Sequence, residues 1–129
     1  MYIDMQTESN RLSRIRQSLS RLAEEIQGLL PAFMDRRPMI KGTVYEQRRK
    51  CGKPNCYCAG GEHHGSMMLS RSEGGRTRLM TIPSGELKDY QVLTERYQRF
   101  RRARARLGQI YKEMIQLIDQ LEAARRKES

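Results

Sequence analysis

The stretch CGKPNCYCAGGEHH (residues 51–64) contains all three cysteines and both histidines of the chain. The 50 residues before it and the 65 residues after it contain neither type. The cysteines are spaced Cys51-x4-Cys56-x-Cys58, and His63 and His64 follow, with glycine- and proline-containing turns between the candidate ligands. This pattern predicts a Cys3His zinc site in which either histidine can be the fourth ligand.

Other roles for these cysteines fit the pattern less well. A disulfide would leave one of the three over, and Cys56 and Cys58 are too close in sequence to pair without strain. A catalytic zinc keeps one position open for water, whereas four protein ligands close the site. Glu62 would become a candidate general base of a zinc hydrolase only if His64 were not a ligand. We therefore expect a structural Zn2+ that stabilises a small domain, and no enzymatic activity.

The composition indicates a small basic protein with a polyanionic partner. The 129 residues are 37% hydrophobic and 31% charged, with two Phe and no Trp, so we expect one compact module with helical arms rather than a large core. The 25 Lys and Arg exceed the 15 Asp and Glu, which gives a net charge of +10. The sequence has no apolar run of about 20 residues and no signal-peptide pattern. With reduced cysteines, this favours the cytoplasm.

The N-terminal segment has the apolar spacing of an amphipathic helix. Steps of three and four residues over about three heptads predict a helix from about residue 7 to residue 30, with a narrow strip facing another helix. Thr7, Ser9 and Asn10 are candidate N-caps, and Pro31 is expected to end the helix. The apolar positions are Leu12, Ile15, Leu19, Leu22, Ile26 and Leu29.

The middle of the chain predicts a small sheet around the zinc ligands. Residues 31–41 contain two prolines and are interpreted as a linker, and residues 43–49 are predicted to form a strand that leads to Cys51. Residues 67–73 and 76–82 flank Gly74-Gly75, which is typical of a β-hairpin. Three short strands bury little surface alone, so the metal and the adjoining helices are expected to stabilise them.

A second helix is predicted from Ser84, its expected N-cap, to about Arg126. Gly108 is its one interruption, and a break there is the alternative to a continuous helix. The predicted fold is α+β: two long helices form an antiparallel helical hairpin or coiled coil, which is capped by a zinc-stapled antiparallel β module. The expected segments are an N-terminal helix arm (1–34), a zinc-binding β module (35–83) and a basic C-terminal helix (84–129).

The distal part of the second helix is its most apolar part. In the predicted hairpin Leu12 lies opposite Leu107, which leaves the later residues of the longer helix without a partner in the chain. Tyr111 and Ile115 belong to this apolar part. An unpaired apolar surface predicts self-association, most simply as a dimer, or docking on a partner protein. The residues assigned to this association surface are Ile110, Met114, Leu117, Ile118 and Leu121.

Clusters of basic residues predict a nucleic-acid-binding protein. The guanidinium group is planar and matches the geometry of phosphate, and clustered like charge destabilises a helix, so a binding role accounts for the arginines better than solvation alone. The alternative is a protein adaptor that docks on an acidic partner or an enzyme. The second helix contains Arg96, Arg99, Arg101, Arg102, Arg104 and Arg106. Arg48, Arg49, Lys50 and Lys53 flank the first zinc ligands, and Arg71, Arg76 and Arg78 lie on the hairpin.

The region between residues 41 and 100 contains several short motifs: KGTVY (41–45), RKCGKPNC (49–56) with Cys58, GE and HG (61–62 and 64–65), and LS with GGRT (69–70 and 74–77). In these motifs the chain resembles a family of small uncharacterised prokaryotic proteins. The resemblance implies zinc binding through Cys51, Cys56, Cys58 and His64, together with an association with mobile genetic elements. It implies no established activity. The chain departs from the family at residues 66–68, SMM, where members tend to have proline and tyrosines.

Overall fold

The computed structural model describes residues 2–49 and 64–127, and these ranges form an α+β fold. The elements are α1 (Tyr2–Met34), β1 (Thr43–Arg49), β2 (His64–Glu73), β3 (Arg76–Thr81) and α2 (Leu87–Arg125). Two long helices and one three-stranded antiparallel sheet are therefore confirmed. The chain divides into a helical unit, Met1–Asp35 with Phe100–Ser129, and a β unit, Arg36–Arg99. Helix α2 contributes residues to both units.

The sheet has the strand order β1-β2-β3, and both pairings are antiparallel. Strand β1 has the predicted bounds, whereas β2 begins at His64, three residues before its predicted start. Gly74 and Gly75 have φ angles of 56° and 80°. These values fit a type I′ hairpin turn, which follows the natural twist of a sheet and requires positive φ at both positions, a conformation that glycine adopts without a steric cost. The predicted β-hairpin is confirmed.

The core of the β unit is centred on Leu69. This side chain is completely buried, and its register partners are Val44 on β1 and Met80 on β3. Gly42 packs closely against Leu69 and the backbone of Ser70. A Cβ atom at position 42 would come 2.9 Å from Leu69 Cδ1 and 2.9 Å from the carbonyl oxygen of Ser70. A backbone oxygen cannot move aside cheaply. The glycine that precedes β1 is therefore required by close packing.

The segment between α1 and β1 is irregular but held in place. The amide of Ile40 donates to the carbonyl oxygen of Leu93 at 3.0 Å. Arg96 Nη1 donates to the carbonyl oxygen of Pro38 at 3.1 Å, and Gln98 Nε2 to that of Gly42 at 3.5 Å. These three bonds fix residues 38–42 to the first three turns of α2, within the β unit.

Helix α1 is longer than predicted at both ends. It begins at Tyr2, so the expected N-caps Thr7, Ser9 and Asn10 lie inside the helix, and it continues past Pro31 to Met34. A proline removes one backbone donor and crowds the carbonyl group four residues earlier, but it does not prevent the following residues from staying helical. The last turn is supported by packing, because the rings of Phe33 and Phe100 meet edge to face with centroids 5.4 Å apart.

Helix α2 is continuous through Gly108, so the predicted alternative of a break there is wrong. Its start also differs from the prediction. The amide of Tyr90 donates to the carbonyl oxygen of Glu86 at 3.2 Å, which makes Glu86 rather than Ser84 the N-terminal boundary residue. Gly85 has a φ of 93°, so the chain turns sharply just before the helix. Within residues 2–49 and 64–127, neither helix has an apolar stretch long enough to cross a membrane.

Contacts inside the helical unit give a register different from the predicted one. Phe33 packs on Phe100, and Arg106 forms an ion pair with Glu25. Relative to a pairing of Leu12 with Leu107, these contacts shift α2 by about 12 to 14 residues, or nearly two heptads. Part of the distal α2 surface is also enclosed: Ile110 is buried, and Met114, Leu117 and Leu121 are half-buried. Ile110, which was assigned to the association surface, is completely buried, so that assignment is wrong because the side chain is enclosed within the unit.

Candidate nucleic-acid interface

Two of the arginines predicted to contact phosphate are engaged in contacts within the protein. Arg96 donates to the carbonyl oxygen of Pro38 and so holds the segment before β1. The guanidinium of Arg106 donates to both carboxylate oxygens of Glu25 and lies 3.6 Å from Glu113 Oε1. Arg106 therefore has few donors left for a phosphate, whereas Arg96 uses only one of its donors in this contact. Both arginines hold neighbouring segments of the chain, and Arg106 has little capacity left to bind a phosphate.

The Arg106–Glu25 pair joins α1 and α2 and changes the titration of both groups. Arg106 Nη2 donates to Glu25 Oε1 at 2.9 Å, and Arg106 Nε donates to Oε2, which makes a two-bond fork. The hydrogen bonds from Arg106 and its charge hold the pKa of Glu25 below its ordinary value of 4.5. The hydrogen bond to Glu25 raises the pKa of Arg106. Both shifts favour the charged pair in the folded chain.

Glu25→Gln is expected to lower the free energy of unfolding at neutral pH and to reduce its dependence on acid pH. A carboxylate whose pKa is depressed by folding stabilises the folded state fully above its unfolded pKa, and this stabilisation is lost as the pH falls through the folded pKa. Urea unfolding at neutral pH and at a pH well below 4.5 measures the effect. The exposed neighbour Glu24→Gln is the matched control. An equal loss for Glu25→Gln at both pH values would contradict the ion-pair explanation.

Three other arginines of α2 are available to solvent. Arg101, Arg102 and Arg104 are exposed, and among the described residues none of the three has a hydrogen-bond or ion-pair partner. Arg101 and Arg104 are three residues apart and share one face of the helix, whereas Arg102 lies on another face. Arg99 is exposed too, but it makes an interaction within the chain. The solvent-facing charge of this helix is thus concentrated between residues 101 and 104.

The hairpin of the β unit carries a second basic surface. Arg71 and Arg78 are direct register partners, and Arg76 is opposite Glu73, so strand alternation places these four side chains on one face of the sheet. The carboxylate of Glu73 forms ion pairs with two of these arginines, at 3.7 Å from Arg71 and 3.4 Å from Arg78. Three cations with one anion leave a net positive charge.

Arg48 lies on β1 and also remains exposed. Its Nε donates to Glu46 Oε1 at 2.9 Å, yet 69% of its side chain is accessible. Exposed pairs of this kind are worth little and exchange readily with other anions. Arg48 and Arg78 therefore remain candidates for phosphate contact despite their carboxylate neighbours.

Most of the predicted metal site lies outside the described residues. Lys50, Cys51, Lys53, Cys56, Cys58 and His63 belong to residues 50–63, and the side chains of Arg49 and His64 are also outside the description. In the backbone, Arg49 and His64 are register partners at the end of the β1–β2 pairing. Cys51, the first predicted ligand, lies two positions after Arg49 in the sequence, and His64 is the last predicted ligand. Residues 2–49 and 64–127 alone contain no group of three His, Cys, Asp or Glu able to hold a metal.

Sequence reasoning missed the residues that engage Arg106. Gln109 and Glu113 follow it by three and seven residues on the same helix, so helical periodicity could have revealed them. Glu25 could not be found in this way, because its contact depends on the register between two helices.

Together these elements define a small basic α+β protein with a three-stranded antiparallel sheet, two long helices and two exposed arginine-rich surfaces. The chain belongs to the family described as Domain of unknown function (DUF6788), whose model matches residues 10–92. The match takes in most of α1, the whole sheet, the cysteine-containing stretch and the start of α2. No curated protein and no solved structure matches the chain.

Proposed function

We propose that the protein is a non-enzymatic, zinc-containing nucleic-acid-binding protein that acts in the cytoplasm as an accessory or regulatory component of a mobile genetic element. It contacts DNA or RNA phosphates through the exposed arginines of α2 and of the hairpin. In this proposal the two helices form an antiparallel hairpin, and a structural Zn2+ bound by Cys51, Cys56, Cys58 and His64 stabilises the sheet.

The observation that carries the proposal is the exposure of Arg101, Arg102 and Arg104. The chain has 15 acidic residues, yet none of those in the described ranges pairs with these three side chains, whereas Arg106 on the next turn is fully engaged. Repulsion among neighbouring cations costs helix stability and is relieved by a polyanion. Guanidinium groups bind phosphate without reading the base sequence, so this surface supports affinity rather than sequence recognition.

The register of the sheet supports the zinc site. The pairing of Arg49 with His64 closes the segment 50–63 at its ends, which is how a hairpin brings ligands distant in sequence together. The described core of the β unit is small, with Met68, Leu69 and Ile82 as its buried apolar residues. A bound metal stabilises a sheet with so few buried side chains strongly, because the free energy of metal binding contributes to the free energy of folding.

The proposal predicts salt-dependent binding of nucleic acid that depends on the exposed arginines. Fluorescence anisotropy of labelled duplex DNA, single-stranded DNA and RNA is measured with the zinc-loaded protein over a salt series. The triple variant Arg101→Glu, Arg102→Glu and Arg104→Glu is expected to bind at least about 100-fold more weakly at physiological salt and to lower the slope of log K against log salt by about three.

A second triple variant, Arg11→Glu, Arg14→Glu and Arg16→Glu, is the matched control. It makes the same change in net charge at exposed positions of α1. An equal loss in both variants would show that only net charge matters and would contradict a defined surface on α2. No binding by the unmodified protein at physiological salt would overturn the nucleic-acid function and favour the protein adaptor.

A further inference from the structure

The distal half of α2 carries two apolar strips that face different directions. The first strip is used inside the helical unit: its members recur at steps of three and four residues and are buried or half-buried, with Ile110 completely enclosed. They are Ala103, Leu107, Ile110, Met114 and Leu117. Helix α2 packs inside the helical unit through this strip.

The second strip consists of Tyr111, Ile115 and Ile118 and is open to solvent. These residues are 65%, 42% and 50% exposed, and they are spaced i, i+4 and i+7, which places them on one face. Each is one position after a member of the first strip, so this face is turned by about 100° from the buried one. Isolated exposed apolar residues are common, but three large ones in line indicate an association surface.

We propose that this second strip is the contact between two copies of the chain, which pack with their α2 helices antiparallel around Ile115. A twofold axis at this residue places Tyr111 of each copy against Ile118 of the other and brings the two Ile115 side chains together. The surface is then self-complementary. The proposal concerns the helical unit alone and does not depend on the binding of nucleic acid.

The charges beside the strip favour a second copy in this orientation. Lys112 and Asp119 are both exposed and are seven residues apart, so they lie on the same side of the strip. In an antiparallel pair the equivalent flanks of the two helices face each other. Lys112 of one copy then lies beside Asp119 of the second copy, and this ion pair occurs twice per dimer. In a parallel pair the equivalent flanks of the two helices lie on opposite sides of the interface, so Lys112 and Asp119 would not meet and these ion pairs would be lost.

The antiparallel interface is small and has like charges at its two ends. Arg104 and Arg125 of opposite copies reach the same level at each end of the interface, but both side chains are exposed, are long and can diverge into solvent. Six apolar side chains make a small interface. We therefore expect a reversible dimer with a dissociation constant on the order of 1–100 μM.

Sedimentation equilibrium of the full zinc-loaded chain, without nucleic acid, tests the proposal over a concentration series that spans this range. Lys112→Asp and Asp119→Lys are each expected to weaken self-association by at least about 10-fold, because each places like charges opposite one another. An equimolar mixture of the two variants is expected to associate at least as tightly as the unmodified chain, since every central pair is then opposite in charge. Lys88→Asp, an exposed position of α2 away from the strip, is the control for net charge.

Ile115→Asp tests the apolar contact directly and is expected to give a monomer with unchanged helical circular dichroism. A monomeric unmodified chain throughout the concentration range would overturn the proposal. So would a mixture of Lys112→Asp and Asp119→Lys that associates no more tightly than either variant alone, because this result would exclude the antiparallel pairing.

Discussion

Replacement of Cys56 by serine is expected to reduce the bound zinc to well below one ion per chain and to unfold the three-stranded sheet. A serine hydroxyl is a poor zinc ligand, and the binding free energy of a structural zinc, on the order of 10 kcal/mol, is available to the fold only while the site is complete. The described apolar core of the β unit is too small to compensate. Zinc is measured by atomic absorption, and the sheet by hydrogen exchange at the amides of β1 and β2.

Matched variants separate ligand loss from general damage to the same stretch. Tyr57→Phe alters the residue next to Cys56 and keeps every predicted ligand, so it is expected to retain a full equivalent of zinc. His64→Ala is expected to lose zinc while His63→Ala retains it, which identifies the fourth ligand. A full equivalent of zinc in Cys56→Ser would refute the Cys3His assignment. Chelation of zinc from the unmodified chain should reproduce the loss of the sheet.

Leu69→Ala is expected to lower the free energy of unfolding of the β unit by about 2–5 kcal/mol. Leu69 is completely buried between Val44 and Met80, and its Cδ1 atom lies beside Gly42, so its loss removes apolar contacts and leaves a cavity. Urea unfolding of the zinc-loaded protein measures the change. The effect is large because the described unit has few other buried apolar side chains.

Leu79→Ala is the control, because it makes the same chemical change on the neighbouring strand. Leu79 is 50% exposed, and β3 is exposed along its whole length. Surface substitutions usually change stability by no more than about 0.5 kcal/mol, so the two variants should differ by several-fold. Similar losses in the free energy of unfolding for Leu69→Ala and Leu79→Ala would refute Leu69 as the centre of the core. They would mean that Leu79 is covered by contacts that the described residues do not account for.

Features that depend on neighbouring residues were predictable. The hairpin follows from Gly74-Gly75, whose positive φ angles fit a tight turn, and the bounds of β1 follow from its β-branched and aromatic residues. The two helices follow from apolar residues at steps of three and four. Their ends were less predictable, because Pro31 limits only its own backbone bonds, while the contact of Phe33 with Phe100 supports one more turn.

The functional assignment of the arginines depended on information that the sequence lacks. The six arginines between residues 96 and 106 of α2 look alike in the sequence, but Arg96 donates to the carbonyl oxygen of Pro38 and Arg106 pairs with Glu25. These partners are 58 and 81 residues away in the chain. Only the folded chain distinguishes them from Arg101, Arg102 and Arg104, which carry the proposed phosphate-binding surface.

Local backbone preferences and apolar periodicity are sufficient to predict the α+β class, the three strands, the turn between β2 and β3 and the presence of two long helices. The alignment of α1 with α2, in contrast, depends on contacts between residues far apart in the chain. A heptad pattern is unchanged by a shift of one or two heptads, so apolar spacing permits several alignments of nearly equal burial. The contacts of Phe33 with Phe100 and of Glu25 with Arg106 select one of them. That alignment buries Ile110 and leaves Tyr111, Ile115 and Ile118 exposed to solvent.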